Sequence, residues 1–169
     1  MRVEFRFCPA CGRPLERRTI EGRLLPACPD CEFVAWPDPK VAVAAIVEDQ
    51  VGRVLAIRRG IEPGQGQWAL PGGYLDDDET PAQAAVRECL EETRCQVEMT
   101  RLAAVQHVST NEGGLLVLVY SGRLITGPAS PTEEAPELGW FPQDDLPELG
   151  FSSHREALAA WRSGVPRVL

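Results

Sequence analysis

The chain has 169 residues, enough for one well-packed domain and a small accessory module. Its formal net charge of −8 excludes a general basic surface for long nucleic acids, although a small anionic substrate needs only a local cation. No apolar run reaches the length of a membrane span and the N-terminus lacks the apolar core of a secretory signal, so we expect a cytoplasmic protein.

Two Cys-x-x-Cys pairs near the N-terminus predict a metal site. Cys8 and Cys11 are separated by sixteen residues from Cys28 and Cys31, the spacing of a four-thiolate structural zinc site. The intervening residues are expected to form a hairpin that turns near Glu21-Gly22. A redox pair or unrelated core cysteines are the less favoured alternatives. Four thiolates leave no open coordination position, so zinc would stabilise this small segment without a catalytic role.

A proline-rich segment, Trp36 to Lys40, predicts the boundary between a zinc ribbon, residues 1–36, and a main domain, residues 37–169. Beyond this boundary, apolar runs bounded by turn-forming residues predict strands. The predicted strands are Val41–Glu48, Arg53–Arg59, a short strand at Trp68, Val97–Val108, Leu115–Leu124 and Glu137–Phe141. A closing helix is expected at 153–161, where Ser153 and Glu156 have the spacing of a capping box.

A central helix is predicted to begin after Thr80. Thr80 is suited to cap the helix, Pro81 suits the first helical position, and Gln83 completes a Thr-x-x-Gln capping box. At roughly 100° per residue, the helix would have an apolar side and an acidic side. The apolar side would comprise Ala82, Val86, Cys89, Leu90 and Thr93, and the acidic side Glu88, Glu91 and Glu92.

The acidic side of this helix follows a loop that carries four more acidic residues, 76–79. Carboxylate oxygens are the ligands that Mg²⁺ and Mn²⁺ prefer. Like charges three and four residues apart repel each other on a helix, so we expect a cation among the three glutamates. A solvated acidic face is the alternative interpretation.

The segment from Gly73 to Cys95 resembles the Nudix box, the motif of the Nudix hydrolases. The motif is Gly, five residues, Glu, seven residues and then Arg-Glu-x-x-Glu-Glu, and six positions match in register: Gly73, Glu79, Arg87, Glu88, Glu91 and Glu92. Arg94 departs from the motif, because the family has Gly there, and Gly readily ends a helix in the left-handed region. Arg94 should therefore end the helix differently or accept modest strain. Cys89 and Cys95 replace aliphatic residues and are expected in the core.

The resemblance implies an α/β fold, the Nudix α/β/α sandwich with a mixed sheet between helices. It also implies hydrolysis of a nucleoside diphosphate linked to another group. Glu79 and Arg87 would form an ion pair that braces the helix, and Glu91 or Glu92 would orient or deprotonate the attacking water. The ligands of Mg²⁺ or Mn²⁺ would be Glu88, Glu91, Glu92 and the Gly73 carbonyl.

Motifs outside the box, including the two cysteine pairs and Leu-Gly-Phe-Ser-Ser-His, resemble the zinc-ribbon Nudix proteins that act on FAD and ADP-ribose. We therefore expect ADP-ribose, FAD or a related dinucleotide as substrate, with release of AMP or another nucleoside monophosphate. Hydrolysis of NADH or NAD-capped RNA is the second hypothesis. It ranks lower because the motif Ser-Gln-Pro-Trp-Pro-Phe-Pro of NADH pyrophosphatases is missing and the acidic net charge disfavours RNA. A non-catalytic nucleotide-binding regulator is the third. The family contains many dimers, which leaves a homodimer open.

Candidate substrate contacts lie outside the helix. Arg58 and Arg59, at the end of a predicted strand, could bind phosphate, and a solvated arginine beside a surface ion pair is an equally favoured alternative. Aromatic side chains usually pack, but some could stack on a base: Trp36, Tyr74, Tyr120 and Phe151, with Tyr74 as the candidate substrate contact.

The remaining polar and aromatic candidates are assigned by position. Some Nudix enzymes contribute another carboxylate from a late loop, where this chain has Glu133, Glu134 and Glu137. Trp68 and Trp140 are expected in the core. His107 and His154 show no metal-ligand spacing, so structural roles are predicted for both.

Overall fold

The computed structural model describes residues 5–110 and 113–168. The chain divides into two units, which span Met1–Pro39 with Ser109–Gly114 and Lys40–Val108 with Leu115–Leu169.

The first unit contains a short antiparallel hairpin. Strand β1, Glu16–Ile20, pairs with β2, Arg23–Ala27, and Ile20 lies opposite Arg23. The two residues between the strands, Glu21 and Gly22, have φ of 50° and 75°. Positive φ at both positions is typical of a type I′ turn, whose twist matches that of the paired strands. The predicted hairpin is confirmed.

The second unit is a mixed sheet with two helices. Its strands are β3 (Lys40–Glu48), β4 (Val54–Arg58), β5 (Trp68–Ala69), β6 (Gln96–Thr110), β7 (Gly113–Thr126), β8 (Glu137–Phe141) and β9 (Arg167–Val168), and its helices are α1 (Pro81–Thr93) and α2 (Ser152–Ser163). The strand order is β5-β4-β3-β7-β6-β9, with β8 beside β4. β3 is parallel to β7 and antiparallel to β4. Within the described residues, neither helix is long and apolar enough to cross a membrane.

The two helices pack on opposite faces of this sheet. Successive side chains of a strand point to opposite faces, and β3 is apolar on both. Ala45 and Val47 pack in one cluster with Cys89 of α1, whereas Ala44 and Ile46 pack in another with α2. The α/β/α architecture with a mixed sheet, implied by the family resemblance, is confirmed.

Helix α1 begins as predicted. The Thr80 hydroxyl accepts a hydrogen bond from the Gln83 N–H, and the Gln83 side chain accepts one from the Thr80 N–H at 2.8 Å. The helix ends at Arg94, which has φ of 63° in the left-handed region and donates its N–H to the Leu90 carbonyl. Of the two expectations for Arg94, the structure therefore shows the strained conformation that glycine adopts more readily.

The predicted apolar side of α1 is partly wrong. Leu90 is 43% exposed, whereas Ala84 and Ala85 are fully buried and Glu92 is only 4% exposed. The small side chains of Ala84 and Ala85, which cluster with Val43 of β3, allow the helix to approach the sheet closely on their side. Glu92 lies seven residues after Ala85 and is therefore on the same buried side of the helix, whereas Leu90 is on the exposed side.

The capping box predicted for α2 is also wrong. The helix begins at Ser152, and its N-cap residue is Phe151, which makes no side-chain capping bond. Phe151 packs beside Ile57 and Ala69, and Ser153 is buried within the first turn. Packing of Phe151 against the sheet, rather than a hydroxyl cap, therefore determines where this helix starts.

Candidate active site

The four cysteines of the first unit converge. Their sulfur atoms all lie within 4.8 Å of one another, with Sγ–Sγ distances of 3.6 Å for Cys8 and Cys31 and 3.5 Å for Cys11 and Cys28. All four are free thiols. Zinc–sulfur bonds of about 2.3 Å in a tetrahedron separate the sulfurs by roughly 3.8 Å, so this donor set fits one zinc ion.

Arg87 is the cation among the glutamates of α1. Its Nη2 donates to Glu79 Oε1 at 2.5 Å, and its Nη1 donates to Glu88 Oε1 at 2.8 Å and to Glu91 Oε2 at 3.0 Å. A further bond joins Nη2 to the Tyr74 carbonyl at 3.1 Å. The hydrogen bond from Arg87 lowers the pKa of Glu79. One guanidinium therefore offsets the repulsion between carboxylates and holds α1 to the loop before it.

Glu92 is the most buried of the three glutamates. Its Oε2 accepts the backbone N–H of Gly72 at 2.8 Å. Burial, with the negative charges of Glu88 and Glu134, raises the pKa of Glu92 to about 8, whereas the Gly72 N–H and the charge of Arg59 oppose the rise. A group that exchanges a proton near neutral pH thus lies beside Gly72-Gly73, the pair of residues that we call the glycine turn.

Glu88 lies close to the second glycine of the same turn. A Cβ on Gly73 would lie 2.5 Å from Glu88 Oε1, so a side chain there would displace the Glu88 carboxylate. Burial raises the pKa of Glu88. The Gly73 carbonyl, predicted as a metal ligand, accepts a hydrogen bond from the Val43 N–H at 2.8 Å, so it is directed toward β3.

The three glutamates of α1 do not form a closed set of ligands. Among the described residues, only the cysteine cluster brings three or more candidate ligand atoms within 4.8 Å of one another. Arg87 holds Glu88 and Glu91, while Glu92 is turned to Gly72. A metal ion bound by all three would therefore require these side chains to reorient.

Glu134 is the late-loop carboxylate that the structure places near this site. Its negative charge raises the pKa of both Glu88 and Glu92. The loop approaches the end of β4 closely, because Gly60 donates its N–H to the Glu134 carbonyl at 2.7 Å and a Cβ on Gly60 would lie 2.2 Å from the Glu133 carbonyl. The sequence offered Glu133, Glu134 and Glu137 equally, and no pattern distinguished Glu134.

The two candidate arginines differ in their surroundings. Arg58 forms an exposed ion pair with Glu137, at 2.9 Å. Arg59 donates through Nε to the Pro63 carbonyl at 2.8 Å, and its guanidinium lies 5.6 Å from the centre of the Phe151 ring. The charge of Arg59 lowers the pKa of Glu92, so this arginine lies near the acidic site.

The candidate aromatic residues have different environments. The Tyr74 side chain is half exposed, with the Lys40 ammonium 5.0 Å from its ring centre. Tyr120 packs against the cluster that contains Val43, and Arg23 lies 5.9 Å from the centre of the Trp36 ring in the first unit. Trp68 and Trp140 pack against the core as predicted.

The two histidines also differ. His107 is exposed on β6. His154 of α2 accepts the Leu70 N–H at Nδ1 over 3.1 Å, and its ring centre lies 5.1 Å from that of Phe151. Burial lowers the pKa of His154 to about 4. The sequence predicted a structural role for His154 but not its contact with Leu70, just before the glycine turn. No spacing motif connects these two residues.

The NUDIX domain family matches residues 38–161 of this chain. The crystal structure of a NUDIX hydrolase from Nitrosomonas europaea superimposes with a TM-score of 0.83 at 29% identity, over 98% of this chain and 99% of that one. A MutT-like protein from Streptomyces ambofaciens is 37% identical over 117 residues, which are 69% of this chain and 73% of the relative.

Two further relatives carry names that specify a substrate. The ADP-ribose pyrophosphatase of Methanocaldococcus jannaschii is 31% identical over 130 residues, covering 75% of this chain and 76% of the relative. The NAD-capped RNA hydrolase NudC of Chromobacterium violaceum is 30% identical over 145 residues, 85% of this chain but 52% of the relative. The match therefore spans only about half of that hydrolase.

Proposed function

This chain belongs to the Nudix family of hydrolases, and on that premise we propose that it is a divalent-metal-dependent pyrophosphatase acting on a nucleoside diphosphate linked to another moiety. We propose ADP-ribose as the first substrate, cleaved to AMP and ribose 5-phosphate. The observation that supports the reaction is the contact of Glu92 with Gly72 and of Glu88 with Gly73, where the charges of Glu134 and Arg59 also shift the pKa of Glu92.

The donors of this site suit Mg²⁺ or Mn²⁺, which prefer oxygen ligands. Glu88, Glu91 and Glu92 would hold these ions, which when bound neutralise the diphosphate and lower the pKa of water. The backbone carbonyl of Gly72 is a better candidate ligand than that of Gly73. In a pleated segment the N–H and C=O of one residue point to the same side, and the Gly72 N–H points to Glu92.

Hydrolysis breaks one phosphorus–oxygen bond of the diphosphate. The oxygen of a water molecule attacks phosphorus, the bond to the bridging oxygen breaks, and the proton released by water passes to Glu91 or Glu92. Arg87, itself bonded to Glu79, holds Glu91 in place, and the Gly72 N–H holds Glu92. Arg59 binds a phosphate oxygen, which compensates the charge that develops during the reaction.

The choice of ADP-ribose follows from the relatives. The chain spans most of a relative named ADP-ribose pyrophosphatase but only about half of the NAD-capped RNA hydrolase that it matches. FAD is the next substrate of the same chemical class. NADH and NAD-capped RNA form the second candidate class, favoured by the NudC match and disfavoured by the missing motif and the net charge of −8.

The test is a direct comparison of substrates. Zinc-loaded protein is incubated with ADP-ribose, FAD, NADH or NAD-capped RNA in Mg²⁺ or Mn²⁺, and the products are separated by chromatography. We expect AMP to form fastest from ADP-ribose and its formation to be lost in Glu92→Gln. Faster cleavage of NADH or NAD-capped RNA would favour the second class. Tight nucleotide binding without turnover in any metal would instead support a non-catalytic regulator.

We further propose that residues 1–36 form the ribbon around a structural Zn²⁺ and residues 37–169 the hydrolase domain. Reduced thiols of this kind suit a cytoplasmic location. The proposed partner is a small nucleotide rather than a nucleic acid or a membrane. A homodimer, common in the family, is tested by light scattering of the purified protein.

A further inference from the structure

Two backbone N–H groups just before the box bind side chains from different helices. The Leu70 N–H is bound by Nδ1 of His154, from α2, and the Gly72 N–H by Oε2 of Glu92, from α1. Residues two positions apart are separated by at most about 7 Å in an extended chain. His154 and Glu92 therefore flank the same short stretch, although their helices pack on opposite faces of the sheet.

The bond to Leu70 fixes the form of the His154 ring. Because Nδ1 accepts a hydrogen bond, the proton of the neutral imidazole is on Nε2. His154 is half-buried, and this burial, together with the charge of Arg59, lowers its pKa to about 4, so the ring is uncharged near neutral pH. Among the residues that the structure describes, none accepts a hydrogen bond from Nε2. The polar atoms that are both fully buried and without a partner do not include Nε2, so this atom is not fully buried. This N–H donor therefore reaches solvent.

Arg59 connects this donor to the acidic site. The Phe151 ring contacts both residues, with its centre 5.1 Å from that of His154 and 5.6 Å from the Arg59 guanidinium. The positive charge of Arg59 lowers the pKa of both His154 and Glu92. The guanidinium and the imidazole N–H are thus two donors on either contact of the Phe151 ring, and the guanidinium is the one whose charge acts on Glu92.

We infer that His154 contacts the substrate, donating a hydrogen bond from Nε2 to a diphosphate oxygen beside Arg59. This inference rests on the proposed function, because a diphosphate held at the glutamates would extend toward this pair of donors. An uncharged N–H binds an anionic oxygen without repelling the nearby guanidinium or the divalent ions. His154 would therefore contribute to affinity for the diphosphate rather than to proton transfer.

Two substitutions separate the two nitrogen atoms of His154. In His154→Asn the amide oxygen is attached to Cγ, as Nδ1 is, so it retains an acceptor for the Leu70 N–H but has no donor as far out as Nε2. In His154→Gln the amide lies one atom further along and supplies a donor near the Nε2 position. The first variant tests the proposed contact, and the second tests whether the donor alone restores it.

The experiment measures the Kd of inorganic pyrophosphate with Mg²⁺ by calorimetry, together with kcat and KM for ADP-ribose and the Tm of each protein. We expect His154→Asn to retain its Tm and kcat, and to weaken pyrophosphate binding and raise KM about tenfold, the effect of one hydrogen bond to a charged group. His154→Gln should bind pyrophosphate more tightly than His154→Asn, even if its Tm is lower.

Unchanged pyrophosphate affinity in folded His154→Asn, or no affinity in the wild-type protein, would overturn the inference. Affinity that follows Tm across both variants would also overturn it, because this pattern indicates a structural role. If the wild-type protein cleaves no dinucleotide but its pyrophosphate binding depends on the Nε2 donor, the proposed function fails while the inference stands. If ADP-ribose is cleaved and His154→Asn binds pyrophosphate normally, only the inference fails.

Discussion

Glu92 accepts the backbone N–H of Gly72 at 2.8 Å, so a buried carboxylate ties helix α1 to the glycine turn. Glu92 is 4% exposed and the pKa of its carboxyl is raised to about 8. A raised pKa means that the folded protein holds a proton that the unfolded chain has already lost at neutral pH.

The stability of zinc-loaded, magnesium-free protein should therefore fall with pH. The contribution of Glu92 is fully present below its unfolded pKa of about 4.5 and is lost as pH rises through about 8. Between pH 6.5 and 8 we expect the free energy of unfolding to fall by on the order of 2 kcal/mol relative to Glu92→Gln. Urea denaturation measures this difference. Glu91→Gln, at a more exposed position, should keep the wild-type slope, and equal slopes in all three proteins would contradict the prediction.

Substitution of Arg87 should disrupt the site even when the charge is kept. Arg87→Lys cannot reproduce the bonds that a planar guanidinium makes to Glu79, Glu88 and Glu91 together. We expect about 1–3 kcal/mol of lost stability and a reduced kcat. Thermal denaturation and steady-state kinetics measure both. The control Arg123→Lys, in an exposed pair with Glu98, should change stability by less than about 1 kcal/mol.

Replacing Arg94 by glycine should relieve the strain at the end of α1. Arg94 has φ of 63°, where a side chain costs roughly 1 kcal/mol and glycine does not. Arg94→Gly should therefore leave the free energy of unfolding unchanged or raise it slightly, whereas Arg94→Val, with a β-branched side chain, should lower it. Both variants should keep kcat, since neither removes a carboxylate. A large loss of stability in Arg94→Gly would indicate that the arginine side chain makes a contact that matters more than its backbone conformation.

The adjacent arginines should behave differently in kinetics. Arg59→Ala should raise KM for ADP-ribose about tenfold, because the guanidinium lies near Glu92 and is proposed to bind phosphate. Arg58→Ala is the matched control and should leave KM within about twofold, since Arg58 is engaged in an exposed pair with Glu137. The reverse order of effects would place the phosphate on the other side of β4.

The cysteine cluster should bind one zinc ion per chain. Elemental analysis of purified protein is expected to show this stoichiometry, and Cys28→Ser should lose the metal because it removes one of four thiolates. Cys89→Ala should retain zinc, since this cysteine is buried against the sheet and belongs to another cluster. If Cys28→Ser still contained one zinc ion per chain, the zinc would be bound at a site other than the cysteine cluster.

Local signals in the sequence predicted several features correctly. The capping box of Thr80 and Gln83, the two-residue turn at Glu21 and Gly22, and the paired cysteines each depend on residues that are near one another in sequence. Their geometry is determined by short-range hydrogen bonds, backbone conformation or ligand spacing, so little tertiary information is needed.

Features that depend on packing were predicted less well. Glu92 is buried and Leu90 is exposed because Glu92 shares with Ala85 the side of α1 that packs on the sheet, and the helical period alone does not determine which side that is. Likewise, Ser153 has the right spacing for a cap, but the packing of Phe151 against the sheet starts α2 earlier. The contact between His154 and Leu70 joins residues far apart in sequence, and no local pattern indicates it.

The placement of α1 and α2 on opposite faces of the sheet also bears on how this enzyme can diversify. Glu92 and His154 reach the same stretch of backbone from separate helices, and Pro71 between their two partners has no N–H to compete for either side chain. A mutant library confined to the first turns of α2 would leave every carboxylate of α1 unchanged. Under the assignments proposed above, such a library alters nucleotide preference separately from the hydrolytic step, which makes α2 the place to begin engineering a new specificity.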